Sequence, residues 1–490
     1  MSYAISSYPD AHEIYTKIDA LMAQAPTPIK KEAMDGYLKF FSEGCPKAKA
    51  KVEEAKQYIP GGVQHNLAFN YPFPLVIDRS EGAYLYDIDG HRYIDFLQAG
   101  GPTILGGNDP AVRAQVIELL NHVGPSTGLF HEFELSLAKE INRHMPAVEM
   151  FRMLGSGTES VMAAIRVARL ATGKRNVIKA GGAYHGWSDQ LVYSLKAPRT
   201  RRFESHGIPA SAQRLTREAA PNDLGSLERL LRLNRLRGGT ACVLVEPVGP
   251  ESGTRPLDKD YNKGARELCD KYGALLVFDE VVTAFRIGLG GAQGYFGVKP
   301  DLTCFGKIVA GGYPSAGGLG GRRDLVLRMA AGLESGKKRA YVGGTMAANP
   351  LSAAAGYFTL REIEKRDACA AAGRAGDRLT RGLQEAIARR GLPFVAYNQG
   401  SICHLETVGA MFLKIDYLRI AKVLKEIKLR KHLMEEYGAA YAAEGLVTLA
   451  GSRMYTSAAD TDEVIDDAIA RFERVFDAVD APASAAGRGA

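Results

Sequence analysis

A single lysine, Lys307, stands in the middle of an otherwise apolar or small stretch, PDLTCFGKIVAGGYP, at residues 300–314. Lysine is rarely buried unless it has a partner or a task. An amine that is kept neutral can attack an aldehyde and form a Schiff base. Burial favours the neutral amine because it lowers the pKa of an ammonium group. Lys307 is therefore a candidate nucleophile, and a structural lysine with a buried partner is the alternative.

The hydrophobic stretch ALLVFDEVV ends in the acidic pair Asp279-Glu280. One interpretation is a Walker-B strand whose aspartate holds magnesium, but that needs a G-x-x-x-x-G-K-[ST] loop elsewhere. No Gly-Lys pair of the chain has the upstream glycine and the following Ser or Thr. Pyridoxal 5'-phosphate (PLP) chemistry is a second interpretation, because a carboxylate there pairs with the protonated pyridine nitrogen. A strand that simply ends in acidic residues is the third.

A glycine-rich loop, LGSGTES at residues 154–160, precedes a segment with helical periodicity. Gly157 would let backbone N–H groups approach an anion closely, and Ser156 and Thr158 would add hydroxyl groups. The N-terminus of the following helix also favours an anion. The loop is therefore a candidate phosphate site for PLP, although a plain helix N-cap would use the same residue types.

Two further loops carry residues that suit a PLP site. In GGAYHGW, Tyr184 follows a predicted strand and could stack on a pyridine ring. A tyrosine packed within its loop is the structural alternative. Gly343-Gly344-Thr345 is a second potential phosphate-binding turn. The lysine, the aspartate and these loops together support PLP chemistry more strongly than any one of them.

From about residue 150 the chain alternates short apolar segments with helical ones. The apolar segments are FRML, NVIKA, ACVLVEPV, ALLVFDEVV and DLTCFG. This alternation predicts an α/β fold with a mostly parallel central sheet and helices on both faces. Upstream, LVIDRSEGAYLYDIDGHRYIDF alternates around a DIDG turn, which predicts a β-hairpin. Helical segments dominate after about residue 350.

The composition of the 490 residues restricts the class of protein. The net charge of +7 is mild and not concentrated in one run, so we expect no nucleic-acid partner. No segment approaches the roughly 18 apolar residues of a membrane span, and the N-terminal residues resemble no targeting peptide. Six scattered cysteines without a C-x-x-C motif predict no metal site and fit a reducing cytoplasmic location.

Four stretches of the sequence resemble the class III aminotransferases, in particular the branch that contains glutamate-1-semialdehyde aminomutase. They are LGSGTESVMAAIRVARLATGK, YHGW, LLVFDEVVTAFRIGLGGAQGYFGVKPDLTCFGKIVAGGYP and GGTMAANPLSAAAG. The resemblance covers about residues 58–478 in order. It implies the PLP-dependent transferase fold type I, with a large central domain and a smaller α/β domain built from both ends of the chain.

The resemblance also implies a division of the chain into domains. We expect residues 58–110 and 349–480 to form the small domain and residues 111–348 to form the large PLP-binding domain. Residues 1–57, which lie outside the resemblance, are predicted to be an N-terminal helical extension. Residues 481–490 are predicted to be a disordered tail.

Roles for individual residues follow from the same resemblance. Lys307 would form the Schiff base with PLP and carry protons between the substrate and the cofactor. Asp279 would pair with the pyridine nitrogen. Val281 and Tyr184 would pack on opposite sides of the ring, and Glu246 would lie near the cofactor and the substrate.

The phosphate contacts implied by the resemblance come from two chains. Gly157 and Thr158, together with Ser156, would hold the phosphate of their own site. Thr345 would reach the phosphate in the neighbouring subunit, so that a homodimer is needed for activity. The small-molecule partners would be an amino donor and a keto or aldehyde acceptor.

The expected substrate pocket departs from the aminomutase pattern. After PGGV that branch has Ser-Pro-Val-Arg, whose arginine is expected to bind a carboxylate, whereas this chain has VQHNLAFNYPFP. The NYPFPL run looks closer to β-amino-acid aminotransferases, which place an arginine near His65. Gln64, His65 and Asn66 could form a polar substrate pocket or a polar turn. Arg453 could bind a carboxylate or be a surface arginine.

Three functional hypotheses remain open at this stage. The first is an aminotransferase that moves an amino group between an amino acid or amine and a keto acid or aldehyde. The second is an aminomutase or amino-acid racemase, which returns the amino group to the same carbon skeleton and consumes no external keto acid. The third is a non-catalytic protein of the same fold, which predicts loss of Lys307 or Asp279, and both are present.

Overall fold

The structure is a computed structural model that describes residues 2–195, 198, 200–332, 338–413 and 420–480. The predicted disordered tail, 481–490, lies outside the described residues. The strands are β1 (Ile77–Glu81), β2 (Tyr84–Asp87), β3 (Arg92–Asp95), β4 (Met150–Leu154), β5 (Asn176–Ala180), β6 (Thr216–Ala219), β7 (Thr240–Val245), β8 (Leu275–Asp279), β9 (Leu302–Gly306), β10 (Gly317–Gly321), β11 (Val395–Gln399), β12 (Ile402–Glu406), β13 (Leu446–Val447) and β14 (Arg453–Tyr455). The helices are α1 (Ala11–Ala23), α2 (Lys31–Lys39), α3 (Pro46–Ala55), α4 (Pro110–His122), α5 (Glu132–His144), α6 (Gly157–Thr172), α7 (Leu224–Arg235), α8 (Tyr261–Tyr272), α9 (Gly291–Phe296), α10 (Arg323–Val326), α11 (Pro350–Arg366), α12 (Ala368–Arg390), α13 (Ile420–Ala443) and α14 (Asp462–Asp477).

The first of two compact units contains the central sheet. It takes in the described residues of Met1–Tyr8, Gly101–Thr103 and Pro110–Ala370. The strand order is β4-β10-β9-β8-β7-β5-β6, and each neighbouring pair is parallel except the two pairs that include β10. The predicted α/β fold with a mostly parallel sheet is therefore confirmed.

The central strands are continuous apolar runs because the sheet is covered on both faces. Strand β7 shows this directly, since its residues alternate between two hydrophobic clusters. Cys242 and Leu244 pack in a cluster that includes residues of α6. Val243 and Val245 pack in another that includes residues of α7 and α8. Helices therefore flank the sheet on both sides, as the sequence predicts.

The second compact unit takes in the described residues of Pro9–Gly100, Ile104–Asp109 and Ala371–Ala490. It contains two smaller sheets, ordered β1-β2-β3-β13 and β11-β12-β14. The predicted hairpin is present as the antiparallel pair β2 and β3, and β1 extends it by one more antiparallel strand. The domain boundaries implied by the resemblance stay a prediction.

Two further observations concern the chain as a whole. All six cysteines are buried and none is in a disulfide. Among the helices of the described residues, we find none that combines the length and the apolar character needed to cross a membrane.

Candidate active site

The residues whose side chains could take part in a reaction lie at the carboxyl ends of the parallel strands. In α/β sheets, ligands bind at this edge, where loops leave the strands. Strand β7 is followed directly by Glu246, β8 ends at Asp279, and β9 ends one residue before Lys307. Asp279 pairs in register with Cys304 on β9, so the ends of these two strands lie side by side.

Lys307 begins a short 3-10 turn, Lys307–Ala310, that follows β9. The residue is half-buried, and its backbone has φ +50°, in the left-handed region that residues other than glycine seldom adopt. Such strain typically costs about 1–3 kcal/mol and persists only where the surrounding structure enforces it. Backbone strain at this lysine is therefore an observation that points to a functional site.

Asp279 is held by a histidine that the sequence analysis did not single out. His185 Nδ1 lies 2.7 Å from Asp279 Oδ2, and both side chains are buried. The other carboxylate oxygen, Oδ1, accepts a hydrogen bond from Val281 N at 3.2 Å. Within the described part of the chain, the buried Nε2 of His185 has no hydrogen-bond partner. The two contacts orient the carboxylate of Asp279 through both of its oxygens.

Val281 fits into a slot formed by two glycines. A Cβ atom added to Gly157 would lie 2.8 Å from Val281 Cγ2, and one added to Gly306 would lie 2.7 Å from Val281 Cγ1. Both distances are too short for carbon atoms in contact. Glycine is therefore required at both positions if Val281 keeps its place. This packing joins the start of α6, the end of β8 and the end of β9 at one point.

The first turn of α6 forms the predicted phosphate loop. Ser156 is the N-cap, and its Oγ accepts a hydrogen bond from Glu159 N at 3.2 Å. Glu159 Oε2 in turn accepts one from Gly155 N at 2.8 Å. The amides of Gly157 and Thr158 fall in this first turn, where N–H groups have no acceptor within the helix. The loop thus presents amide donors at the positive end of a helix dipole.

Tyr184 and Glu246 are joined through the protein backbone. Tyr184 N donates to Glu246 Oε1 at 2.9 Å, and the amides of Glu251 and Ser252 donate to the same carboxyl group at 3.0 and 2.7 Å. Burial, with a contribution from the charges of Asp279 and Glu251, raises the pKa of Glu246 to about 8. The ring of Tyr184 is 46% exposed, so it remains accessible beside these groups.

The loop that carries Tyr184 and His185 also touches the phosphate loop. Gly186 has φ +83°, and a Cβ atom added there would lie 2.8 Å from Thr158 Cα. The predicted cofactor residues Ser156, Gly157, Thr158, Tyr184, Glu246, Asp279, Val281 and Lys307 all belong to the first compact unit and to loops connected in this way.

The remaining predicted site residues lie elsewhere. Thr345 is exposed on the first compact unit. Gln64, His65 and Asn66 are exposed residues of the second unit, where His65 Nδ1 accepts a hydrogen bond from Leu67 N at 3.1 Å. Arg453, on β14 of the second unit, is half-buried, and its guanidinium lies 5.9 Å from the ring centre of Tyr455. Their substrate roles stay predictions.

The hydrogen-bonding groups of this site fit PLP. Asp279 is a buried carboxylate supported on one oxygen by His185, as a partner for a protonated ring nitrogen needs to be. The amides of Gly157 and Thr158, in the first turn of α6, have no acceptor within the helix and suit a phosphate. Lys307 supplies the amine at the end of the adjoining strand. Fold and site together define a PLP-dependent enzyme of fold type I.

Comparison with known proteins narrows the class to one family. The family described as "Aminotransferase class-III" matches residues 67–475. The chain is similar to an omega-transaminase from Sphaerobacter thermophilus, with 27% identity, a TM-score of 0.79, and coverage of 89% of this chain and 99% of that one. It is also similar to a beta-phenylalanine aminotransferase from Variovorax paradoxus, with 28% identity, a TM-score of 0.77, and coverage of 91% and 97%. A glutamate-1-semialdehyde aminomutase from Pseudomonas aeruginosa PAO1 shares the fold, at 22% identity and a TM-score of 0.77 over 95% and 99% of the two chains.

The chain belongs to the class III aminotransferases. It is accordingly a PLP-dependent transaminase, which moves an amino group between an amino donor and a keto or aldehyde acceptor. The predictions of the family, the fold, the cofactor and the type of reaction are thereby confirmed.

Proposed function

We propose that Lys307 is the catalytic amine of this transaminase and that its preferred amino donor is a β-amino acid. The observation that carries the catalytic part is the buried His185–Asp279 pair, 2.7 Å apart. Asp279 ends β8, the strand next to the one that leads into Lys307. When bound, PLP supplies an aldehyde carbon that exchanges amino groups and a pyridine ring that withdraws electrons from the substrate. Lys307 Nζ holds the cofactor between turnovers and moves a proton from the substrate's Cα.

Asp279, supported by His185, would bind the pyridine nitrogen of the cofactor. Asp279 Oδ1 accepts one amide hydrogen bond, from Val281 N, and has capacity for a proton on the ring nitrogen. Oδ2 is paired with His185 Nδ1, which orients the carboxylate. A charge-assisted hydrogen bond of this kind contributes about 1.5–3 kcal/mol. The pair therefore holds a proton on the ring nitrogen, as the electron-withdrawing role requires.

Other residues bind and orient the cofactor. Gly157 and Thr158 donate their first-turn amides to the phosphate, and Ser156 shapes that turn as the N-cap. Val281, fixed between two glycines, would pack on one face of the ring, and Tyr184 would pack on the other. Burial and nearby carboxylates raise the pKa of Glu246 to about 8, and we propose that its contact with Tyr184 N helps to position that ring.

The β-amino-acid preference is supported by two observations of the sequence. The chain has the NYPFPL run in place of the Ser-Pro-Val-Arg stretch of the aminomutase branch. One similar structure, at 28% identity over 91% of this chain, is a beta-phenylalanine aminotransferase. Gln64, His65 and Asn66 precede that run as exposed polar residues, and we propose that they and Arg453 recognise the donor.

We further propose a cytoplasmic homodimer. Thr345 is exposed, and the resemblance to the family implies that it serves the phosphate site of the neighbouring subunit. Six buried cysteines without a disulfide are compatible with a reducing compartment.

Size-exclusion chromatography with light scattering should give the mass of two chains. Thr345→Ala should weaken PLP binding without changing that mass, and a monomer that is fully active would contradict the proposal.

A donor panel tests the substrate class. Purified protein with bound PLP is mixed with β-amino acids, α-amino acids and simple amines, with no keto acid present, and the visible absorbance of the cofactor is followed. We expect β-amino acids to change the spectrum fastest. A faster response to another class of donor would contradict the β-amino-acid assignment alone. If a ligand is isomerised or racemised while no donor alters the resting spectrum, the aminomutase or racemase hypothesis replaces ours.

A further inference from the structure

Lys179 is a fully buried lysine that the proposed chemistry does not use. It lies next to the last residue of β5, and its side chain has no exposed surface. Its Nζ donates to the carbonyl oxygens of Ala183, Leu191 and Tyr193 at 3.3, 2.9 and 2.7 Å. It also lies 4.5 Å from the ring centre of Tyr193. The ammonium group thus directs all three of its N–H donors to backbone carbonyls.

A buried ammonium normally has a carboxylate as its partner. The charge of Lys179 Nζ is solvated by three carbonyl dipoles and by the face of the Tyr193 ring. Burial lowers the pKa of Lys179 to about 8, although nearby glutamates, led by Glu218, oppose the shift. Burial of this charged group is therefore unfavourable by itself, which suggests that the lysine has a specific role.

The three carbonyls lie on the two limbs of one loop. Ala183 directly precedes Tyr184 and His185 on the outgoing limb, whereas Leu191 and Tyr193 lie on the returning limb. A single ammonium group therefore ties both limbs to the end of β5. Hydrogen bonds from a charged donor are stronger than those from a neutral one, so three of them favour one conformation of this loop.

The tip of the same loop makes the contacts on which the candidate site depends. His185 contacts Asp279, Tyr184 N donates to Glu246, and Gly186 packs against Thr158. These contacts require the backbone of residues 184–186 to be placed accurately, because a misplacement of about 1 Å can reduce a rate about 100-fold.

We propose that Lys179 is a positioning residue that fastens the loop 181–193 and so holds His185 against Asp279. The effect on turnover rests on the proposed roles of His185 and Asp279, whereas the effect on the loop does not. Lys179 acts through the loop and touches neither substrate nor cofactor.

Trp187 gives a direct measurement of this loop. It is the only tryptophan of the chain, it lies within the fastened loop, and its side chain is 72% exposed. The fluorescence anisotropy decay of the full-length protein, with and without PLP, therefore reports the motion of this segment alone. In Lys179→Met and Lys179→Gln we expect about a twofold larger amplitude of nanosecond motion at Trp187, larger for Met because Gln keeps two N–H donors.

A matched control is available in the same unit. Lys174 Nζ also donates to two backbone carbonyls, those of Tyr272 and Gly273 at the end of α8, but it fastens a different loop. Lys174→Met should leave the anisotropy of Trp187 unchanged. Turnover in Lys179→Met should fall about 10- to 100-fold through kcat, with KM little affected.

The outcomes separate this proposal from the proposed function. Unchanged motion of Trp187 in both Lys179 variants would overturn the positioning role even if turnover falls. Greater motion with unchanged turnover would support the fastening of the loop and contradict the catalytic importance of His185. If neither variant folds while Lys174→Met does, Lys179 is needed for the fold itself and the positioning proposal is overturned.

Discussion

His185 is the buried hydrogen-bond partner of Asp279. Its ring makes one hydrogen bond to the carboxylate, and both groups are removed from water, where such a bond is worth more than at the surface. An ionised Asp279 is needed for the proposed chemistry. We therefore propose that the histidine belongs to the site, although it is separated from the aspartate by more than 90 positions in the chain.

Replacing His185 tests this role. His185→Phe keeps a ring of similar shape but removes the hydrogen bond, and we expect kcat to fall about 10- to 100-fold, the equivalent of the lost 1.5–3 kcal/mol. PLP should still bind. Asp279→Asn should slow the reaction more strongly, because it removes the charge itself. Steady-state kinetics of the three proteins provides the comparison.

The exposed His206 supplies the control for this series. His206→Phe makes the same chemical change at a position in the first unit that lies outside the site, and its kcat should equal that of the parent protein. Equal rates for His185→Phe and His206→Phe would show that the buried pair has no part in catalysis.

Lys307 is the residue on which the proposed chemistry depends most. Lys307→Ala removes the amine, so the visible absorbance of lysine-bound PLP should disappear and turnover should fall by several orders of magnitude. Lys299→Ala, eight positions upstream and exposed, should change neither. Absorbance spectra and kinetics measured on both variants check the assignment, and it is wrong if Lys307→Ala retains turnover.

Single residues differed in how well the sequence predicted them. Lys307 and Asp279 could be singled out as candidates because an amine and a carboxylate in apolar surroundings are unusual, and their roles stay predictions. His185 could not, because its partner is distant in the chain and a histidine in a loop has many ordinary uses. Lys179 was missed for a different reason: its partners are backbone carbonyls, which leave no signal in the sequence.

At the scale of elements, the site depends on how closely α6 approaches the ends of β8 and β9. The closest point is the contact of Val281 with Gly157 and Gly306. A methyl group at either glycine would push Val281, and with it the end of β8, away from the phosphate loop. The close packing of these backbone segments thus brings the residues proposed to bind the phosphate near those proposed to contact the ring.

Gly157→Ala tests this contact. The new Cβ atom would lie 2.8 Å from Val281 Cγ2, and overpacking of this kind costs about 1–3 kcal/mol. We expect weaker binding of PLP and a lower free energy of unfolding, measured by titration of the cofactor-free protein and by urea unfolding. The double variant Gly157→Ala/Val281→Ala should recover much of the loss of stability, because it removes the colliding methyl groups.

Gly36 in α2 is the control glycine. Nothing lies within 4 Å of a Cβ atom added there, so Gly36→Ala should stabilise the helix by roughly 0.5–1 kcal/mol. Destabilisation of equal size by Gly36→Ala and Gly157→Ala would mean that contact with Val281 is not the cause.

Asp95, the last residue of β3, makes the stability of the protein depend on pH. Its buried Oδ1 accepts hydrogen bonds from Leu97 N and Gln98 N at 3.0 and 2.8 Å. Burial nevertheless raises its pKa to about 6, above the value of about 3.9 in an unfolded chain. The folded state then binds more protons than the unfolded state between these values, so stability from this group is present below pH 4 and is lost as pH rises towards 6.

Asp95→Asn keeps an oxygen acceptor for both amides and has no charge to bury. We expect the variant to become more stable relative to the parent protein, as measured by the free energy of unfolding, when the pH increases from 4 to 6. Urea unfolding at several pH values in this window measures the difference. Parallel curves for the two proteins would contradict a raised pKa at Asp95.

The elements themselves were largely predictable. Short apolar runs such as NVIKA and DLTCFG became β5 and β9 because strands covered on both faces must be apolar along their length. Strand β10 is composed of GGLGG, which has little strand propensity. It forms because Gly317 lies against the backbone of Ser156 and Gly318 against the ring of Phe151. That need for space is visible only in three dimensions.

For the whole molecule, the part outside the family match is also folded. The match begins at residue 67, yet α1, α2 and α3 lie before it and contribute to the second unit. Residues near the N-terminus belong instead to the first unit, where Ala4 N donates to Ile287 O and Tyr3 packs on Gly288. The sequence predicted helices in this segment but could not predict this contact, which depends on a glycine that leaves room for a ring.

The six buried cysteines can report where and when the protein opens, because each can be labelled only after it becomes exposed. Cys45 and Cys403 lie in the second unit, and the other four, Cys242, Cys269, Cys304 and Cys369, lie in the first. A thiol-specific reagent cannot reach a sulfur atom until its surroundings open, and burial also raises the pKa of Cys45 and Cys242 to about 12, which suppresses the reactive thiolate. Labelling rates under native conditions, assigned to each cysteine by peptide mass, therefore time the opening of the two units separately within one unmodified chain.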